Sequence, residues 1–403
     1  MQLDSGGREP SVSTSIGFFG TYFCFFLGIG VFLPYLFLFL RDMRGISEAV
    51  IGIIALLAPL AVMISQPLWG SLGDMTGRPI LIIQLASVGA CVTALLMWQD
   101  ISYGWYFLLV PLLYGLQSAV DPLVNAAAVY VEQQGKERGV FGKKRLWGSL
   151  GFIVGNVVGA HATGYFNLGI IFPLYAGVMV LLAVQVTMLT EVNMKATSGW
   201  ELLRGLIRAL KKPHYRWLLL FFILWGIPFG GNSVAFGWFW KDLGGTSTGL
   251  GYLWFLAAVF EIPLYLLTVK FKDYLSLRWL LVLATIFPAV RWLLYVLVPA
   301  PWMLYFVQPI HSLMFVSFSV GAVYMVDRLS DPVIRSTGQG LLAACVYGIG
   351  SAAGNWLAGT VYEFAGGNWF YLLLVLINLS ALPVIFYKFH EFDSKNNLSV
   401  AGQ

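Results

Sequence analysis

Charge is scarce in this chain. Only 11% of its 403 residues are Asp, Glu, Lys or Arg, against 59% that are hydrophobic, whereas a soluble domain carries about 25% charged residues. Whole stretches of roughly 20 residues contain no charge at all, the length a helix needs to cross hydrocarbon. A soluble globular domain is thereby excluded. Cysteine is nearly absent too. Cys24, Cys91 and Cys345 are odd in number, lie in apolar segments and have no metal-ligand spacing, so neither a disulfide framework nor a zinc site is expected and they read as small buried hydrophobes. No Gly-rich nucleotide loop, His-Glu-x-x-His pair or nucleophile elbow occurs, which argues against an enzyme and against ATP hydrolysis. No metal or organic cofactor is expected. The first apolar segment is long and lacks a small-residue cleavage site, so it reads as a retained helix. The net charge of +5 would suggest nucleic acid in a soluble protein. In a membrane protein it reports topology instead, and no nucleic-acid partner is expected.

The apolar runs predict an all-α membrane protein with twelve transmembrane helices. They fall near 15–40, 48–72, 79–98, 104–131, 146–165, 168–190, 214–240, 248–269, 277–298, 301–326, 334–362 and 368–388. Of the 24 Lys and Arg residues, Arg41, Arg44 and Lys241 fall on one side and Arg291 lies inside a helix; the other 20 fall on the side of the termini. The positive-inside rule then places both termini in the cytoplasm, as expected for an inner-membrane protein. The longest polar stretch, about 191–212, lies midway and divides the chain into six-helix halves, 1–190 and 213–403. Its 201–210 portion reads equally as an amphipathic surface helix or a solvated linker. Gly155-Asn156 recurs as Gly354-Asn355, an offset of 354 − 155 = 199 residues and about half the chain. Such parallel repeats mark transporters whose halves rock about a site near the bilayer midplane.

An ionisable side chain at the bilayer centre costs about 2.5–3.5 kcal/mol on insertion scales, so each should face a polar cavity and have a partner. Asp121, Glu261, Arg291 and His311 occupy such positions in the fourth, eighth, ninth and tenth helices. Burial favours the protonated carboxyl and a nearby guanidinium favours the carboxylate, so movement relative to Arg291 would switch Glu261. Histidine titrates nearest neutral pH, which suits His311 to relay a proton or to hydrogen-bond a solute. A static buried ion pair with a satisfied histidine is the competing reading. Aromatics beside Gly, Pro or amide groups on central helices supply the candidate solute contacts: Tyr22, Pro34, Tyr35, Asn232, Trp238 and Trp254. Most other aromatics should be packing or interfacial anchors.

Between the second and third helices runs Gly70-Ser71-Leu72-Gly73-Asp74-Met75-Thr76-Gly77-Arg78-Pro79. Its glycines permit a tight turn and close helix approach, and Asp74 and Arg78 can bond helix ends. The segment resembles the Gly-x-x-x-Asp-x-x-Gly-Arg signature of the major facilitator superfamily, with Pro79 replacing a basic residue, and the resemblance implies a gating role for Gly70, Asp74, Gly77 and Arg78. A closer likeness is to the branch of phenylpropionate permeases, nucleoside-proton symporters and, more distantly, lactose permease. It rests on Phe141-Gly142-Lys143-Lys144-Arg145-Leu146-Trp147-Gly148-Ser149, Gly251-Tyr252-Leu253-Trp254 with Glu261, Arg291-Trp292, and Gln308-Pro309-Ile310-His311 with Phe315.

That resemblance implies proton-driven symport of a small organic solute, with Glu261, Arg291 and His311 coupling it and Gln308 in the substrate set. The phenylpropionate-type Asp aligns with Asn125, while this chain has Asp121 one turn earlier on the same face. Ala126, Ala127 and Ala128 stand where galactoside permeases carry a carboxylate, which disfavours lactose-like substrates. Arg145 either binds an anionic substrate or snorkels to the interface. The expected function is therefore proton-coupled uptake of an aromatic acid, nucleoside or sugar by a monomer in lipid, with the proton as coupling ion. An efflux carrier and a transporter-like receptor are the alternatives.

Overall fold

The computed structural model describes residues 12–133, 140–189, 211–271, 276–297, 300–330 and 335–389, and among them there is no β-strand. In the first half, α1 comprises Val12–Phe32 and Leu36–Asp42, α2 is Glu48–Thr76, and α3 is Pro79–Trp98. They are followed by α4 (Tyr106–Gln117 and Val120–Gln133), α5 (Val140–Tyr165) and α6 (Ile171–Gln185). The second half opens with α7 (Pro213–Asp242) and α8 (Ser247–Val259 and Glu261–Phe271). Next come α9 (Leu277–Leu297) and α10 (Leu304–Val307 and Ile310–Leu329). The last two, α11 (335–365) and α12 (367–388), share one helical run that Gly366, at φ 81°, turns from one pass into the next. Among the described residues ten stretches are long and apolar enough to cross a membrane, and the 51-residue Gly338–Lys388 stretch among them supplies two passes. The twelfth pass is α5, whose first turns carry Lys143, Lys144 and Arg145. The chain is a twelve-pass, all-α membrane protein.

The helices differ from the predicted runs in informative ways. α2 continues to Thr76 and is capped there by Gly77, at φ 62°, where a side chain would be strained. α5 starts at Val140, six residues before the apolar run. α1, α4, α8 and α10 are each broken where one continuous helix was expected. Pro263 and Pro309 lack the N–H that an unbroken helix would direct to the carbonyl four residues earlier, and both lie beside a break. At the α4 break, the Ser118 hydroxyl donates to Gly115 O at 2.7 Å. The 201–210 segment and most of the 191–212 linker lie outside the described residues.

An even number of passes puts both chain ends at one end of the bundle, called the terminal end below. At the opposite, far end the halves meet through two related helix crossings. A Cβ on Gly52 of α2 would lie 2.7 Å from Gly359 Cα and 3.0 Å from Asn355 O of α11. A Cβ on Gly251 of α8 would lie 2.7 Å from Ala160 Cβ and 2.8 Å from Asn156 O of α5. The offset seen at Gly155 and Gly354 relates every member of these crossings: Gly52 to Gly251, Asn156 to Asn355 and Ala160 to Gly359. It also relates the two far-end turns, Gly45 at φ 63° and Gly244 at φ 90°. Small residues let backbones touch, and in lipid such packing drives helix association.

The burial pattern follows from this closure. The larger apolar core joins both halves, with Tyr35, Phe37 and Ile51 from one and Trp238, Tyr362 and Phe370 from the other. A second core at the terminal end draws only on the second half, including Trp225 stacked on Phe318 at 3.6 Å between ring centroids. Exposed aromatics mark the bundle's rims, Tyr165, Phe166, Phe364 and Trp369 at the far end and Trp217 and Tyr387 at the other, as amphipathic rings do at lipid interfaces.

Bulk at Gly359 has no room, since its Cβ would lie 2.6 Å from Gly52 Cα. Gly359→Leu should cost the closed far end about 1–3 kcal/mol, about 5- to 150-fold in the ratio of closed to open molecules. Thiol labelling of a Leu38→Cys reporter in a cysteine-free background checks this: the buried position should be protected in the parent and labelled in the variant.

Candidate functional site

Above the far-end seal lies a cavity of two adjoining lobes, of about 310 Å³ and 260 Å³, that share Phe26, Ile29 and Leu33 of α1; the first lies within the first half and the second between the halves. The first lobe is lined by Gln66 of α2 and by Tyr114, Gln117, Ser118 and Asp121 of α4. The second is lined by Ser149 and Phe152 of α5, Phe229 of α7, Trp254, Ala257, Ala258 and Glu261 of α8, and His311 and Phe315 of α10. Phe152 meets Trp254 edge-on across the halves, with ring centroids 6.5 Å apart.

Asp121, Glu261 and His311 each follow a helix break, so each lies near the start of a half-helix. Behind the wall of the second lobe runs a chain of polar contacts. Arg291, 1% exposed, donates from Nη2 to Gln308 Oε1 at 2.7 Å, and the Tyr295 hydroxyl donates to the same oxygen at 2.8 Å. Arg291 Nη1 lies 3.2 Å from His311 Nδ1. A guanidinium can only donate, so Nδ1 is the acceptor and the ring proton of neutral His311 sits on Nε2. That nitrogen points at Glu261 and lies 3.7 Å from Oε1, longer than a hydrogen bond. His311 thus stands between Glu261 and Arg291, and this interposition replaces the direct pair that the sequence suggested. Phe315 stacks on the His311 ring with centroids 6.1 Å apart. In the first lobe, the Tyr22 hydroxyl donates to Asp121 Oδ1 at 3.0 Å and also contacts the Asn125 side-chain amide.

The far end beneath the cavity is sealed by polar contacts between the halves. Arg41 pairs with Asp242 and lies 3.2 Å from Asp42 and 3.7 Å from Glu48. Within the second half Tyr362 donates to Asp242 at 2.6 Å, and between the halves Ala49 N donates to Glu363 at 2.7 Å, Trp238 Nε1 to Phe37 O at 3.0 Å, and Asn355 Nδ2 to Ala55 O at 2.8 Å. Tyr252 and His161 meet at 3.2 Å.

Two six-helix halves with a cavity between them are the architecture of a facilitator, and comparison with known proteins agrees. The model of the MFS_1 like family matches residues 16–373. The chain belongs to this family of the major facilitator superfamily. It is 30% identical to the maltose permease of Geobacillus stearothermophilus over 356 residues, 86% of each protein. It is 24% identical to the probable 3-phenylpropionic acid transporter of Escherichia coli (strain K12), across 91% of this chain and 95% of that one. In fold it is similar to the crystal structure of the nucleoside transporter NupG, with TM-score 0.81 and 17% identity over 94% and 99% of the two chains. The chain is a membrane transporter of this superfamily and not an enzyme.

Within this major facilitator fold, Asp121, Glu261, His311 and Trp254 line the cavity, as their residue types suggested. Tyr22 and Asn125 lie just behind Asp121. Arg291 and Gln308 are buried behind His311 rather than exposed to solute. Three expected solute contacts are elsewhere. Tyr35 is fully buried at the far-end crossing of α5 and α8, Trp238 is spent on the seal through Phe37, and Asn232 faces α12, where the Tyr371 hydroxyl reaches it at 3.4 Å. The aromatic-beside-glycine signal failed there because small residues mark close helix crossings as readily as cavities. In the gating segment, Gly77 caps α2, and a Cβ on Gly70 would meet nothing within 4 Å. Arg78 is exposed at the start of α3. The side chains of Asp74 and Arg145 lie outside the described residues. Sequence reading missed Gln66, Ser149, Phe229 and the Arg41–Asp242 latch. The latch partners are 201 residues apart, and nothing local announces either one.

Gln308 accepts from two buried donors, so Gln308→Leu should strand both at about 1–3 kcal/mol each. Thermal unfolding in detergent should show a midpoint lowered by several degrees in Gln308→Leu and a smaller change in Gln308→Glu, which keeps the acceptor.

Proposed function

We propose that the chain is a proton-coupled symporter of the inner membrane that takes up a neutral, polyhydroxylated solute, in class a disaccharide or related glycoside. The observation that carries this reading is the placement of Glu261 and His311 on one cavity wall, with Arg291 behind them. A carboxyl facing the solute space exchanges its proton with whichever side the cavity opens to. His311 carries its own proton on the nitrogen nearest Glu261, and Arg291 keeps His311 in that tautomer. Import is driven by the pH gradient together with about 2.3 kcal/mol per charge per 100 mV of membrane potential. With both termini in the cytoplasm, the sealed far end is periplasmic and the structure is inward-facing. A single chain supplies both rocking halves, so the monomer in its lipid bilayer is the functional unit.

Charge favours a neutral solute. The described lining of the cavity holds two carboxylates, Asp121 and Glu261, and neither Lys nor Arg, so an organic anion would meet repulsion in a space of low dielectric. A sugar finds acceptors in Asp121, Gln66, Gln117 and Ser118, and flat apolar faces in Phe26, Phe152 and Trp254. Similarity to a protein named as a maltose permease supports the same class. Ala126, Ala127 and Ala128 lack the α4 carboxylate of galactoside permeases, which disfavours lactose-like galactosides and leaves other disaccharides open.

Proteoliposomes challenged with maltose, a nucleoside or 3-phenylpropionate provide the test. Maltose should drive proton uptake in the wild type, and Glu261→Gln should abolish proton uptake and accumulation while retaining solute counterflow. Uptake of 3-phenylpropionate alone would replace the sugar with an organic acid, and solute movement without proton flux in either protein would leave a facilitator.

A further inference from the structure

Beside the proposed coupling cluster lies a hydroxyl outside the cavity lining. Ser312 is fully buried and does not line the cavity, and its Oγ donates to Ala257 O at 2.7 Å, joining α10 to α8. Ala257 precedes Glu261 by four residues, so its carbonyl is the one that the Glu261 N–H would reach in a continuous α-helix. α8 is broken between the two, at Phe260, and Pro263 withholds the N–H that Val259 O would otherwise receive. Across the break Phe260 N still reaches Leu256 O, at 3.4 Å, but Pro263 can make no such bond to Val259 O. Two successive residues of α10 bear on α8 at this level: Ser312 grips the Ala257 carbonyl, and His311 faces the Glu261 carboxylate.

Arg291 fixes the His311 ring through Nδ1, so the ring cannot follow Glu261 if α8 shifts. The gap between them is set by where α8 sits at this level. Resting on the proton-coupling reading of Glu261, we propose that Ser312 is a positioning residue: its hydrogen bond to Ala257 O keeps the start of the second α8 segment, and with it the Glu261 carboxylate, within reach of His311.

The test compares wild type, Ser312→Ala, Ser312→Thr and Glu261→Gln in proteoliposomes at equal protein, measuring maltose counterflow and proton-driven maltose accumulation. Ser312→Ala should keep counterflow within about twofold while accumulation falls about tenfold or more, since small misplacements of reacting groups cost rates of that order. Ser312→Thr, which retains the hydroxyl, should restore accumulation. A merely structural serine would lower both activities in proportion, and that result, or undiminished accumulation in Ser312→Ala, overturns the proposal. If Ser312→Ala does not reach the membrane, Ser312→Thr against Ser312→Val, nearly equal in volume and differing in the hydroxyl, decides by the same criteria. Glu261→Gln separates the two levels: accumulation in that variant refutes proton coupling itself, whereas loss in Glu261→Gln with none in Ser312→Ala refutes only the positioning role.

Discussion

The two far-end crossings, α2 with α11 and α8 with α5, carry the rest of the architecture. In each, a glycine lets one helix touch the backbone of another from the opposite half. Lipid offers no hydrophobic drive to bring helices together, so contact of this kind, with interhelical hydrogen bonds, must do so. Where the backbones touch, the halves are sealed; toward the terminal end they diverge and the cavity opens between them. The Arg41–Asp242 pair and the Tyr362 and Glu363 contacts add polar bonds at the rim of that seal, where the charged side chains remain partly exposed and each pair contributes little. Close packing sets the geometry, and the rim charges register one half against the other.

The second constraint is the cost of charge in hydrocarbon. Arg291 is almost completely buried, and it is tolerated because Gln308 and His311 accept from it while Tyr295 and Phe236 present their ring faces at 5.1 Å and 5.9 Å. Those same contacts fix the tautomer of His311, so a structural necessity dictates which histidine nitrogen meets Glu261. Helix breaks serve the same end, because they bring the ionisable residues to the start of half-helices beside the cavity instead of burying them along a continuous rod.

The sequence by itself determined the class, the number of passes and the division into related halves. Scarcity of charge over helix-length runs needs no tertiary information to exclude water as the solvent, and the 199-residue echo at Gly155 and Gly354 was already the trace of both crossings. It also nominated Asp121, Glu261, Arg291 and His311, because an ionisable residue in hydrocarbon is conspicuous wherever it occurs. Tertiary structure alone decided which of them touch: that His311 intervenes between Glu261 and Arg291, that Gln308 serves Arg291 rather than a solute, and that Tyr35 and Trp238 close the far end. Those outcomes depend on helix rotation and on where helices break. In an almost uniformly apolar helix, the periodicity that would reveal which face looks inward is absent, so only packing against the neighbouring helices settles it.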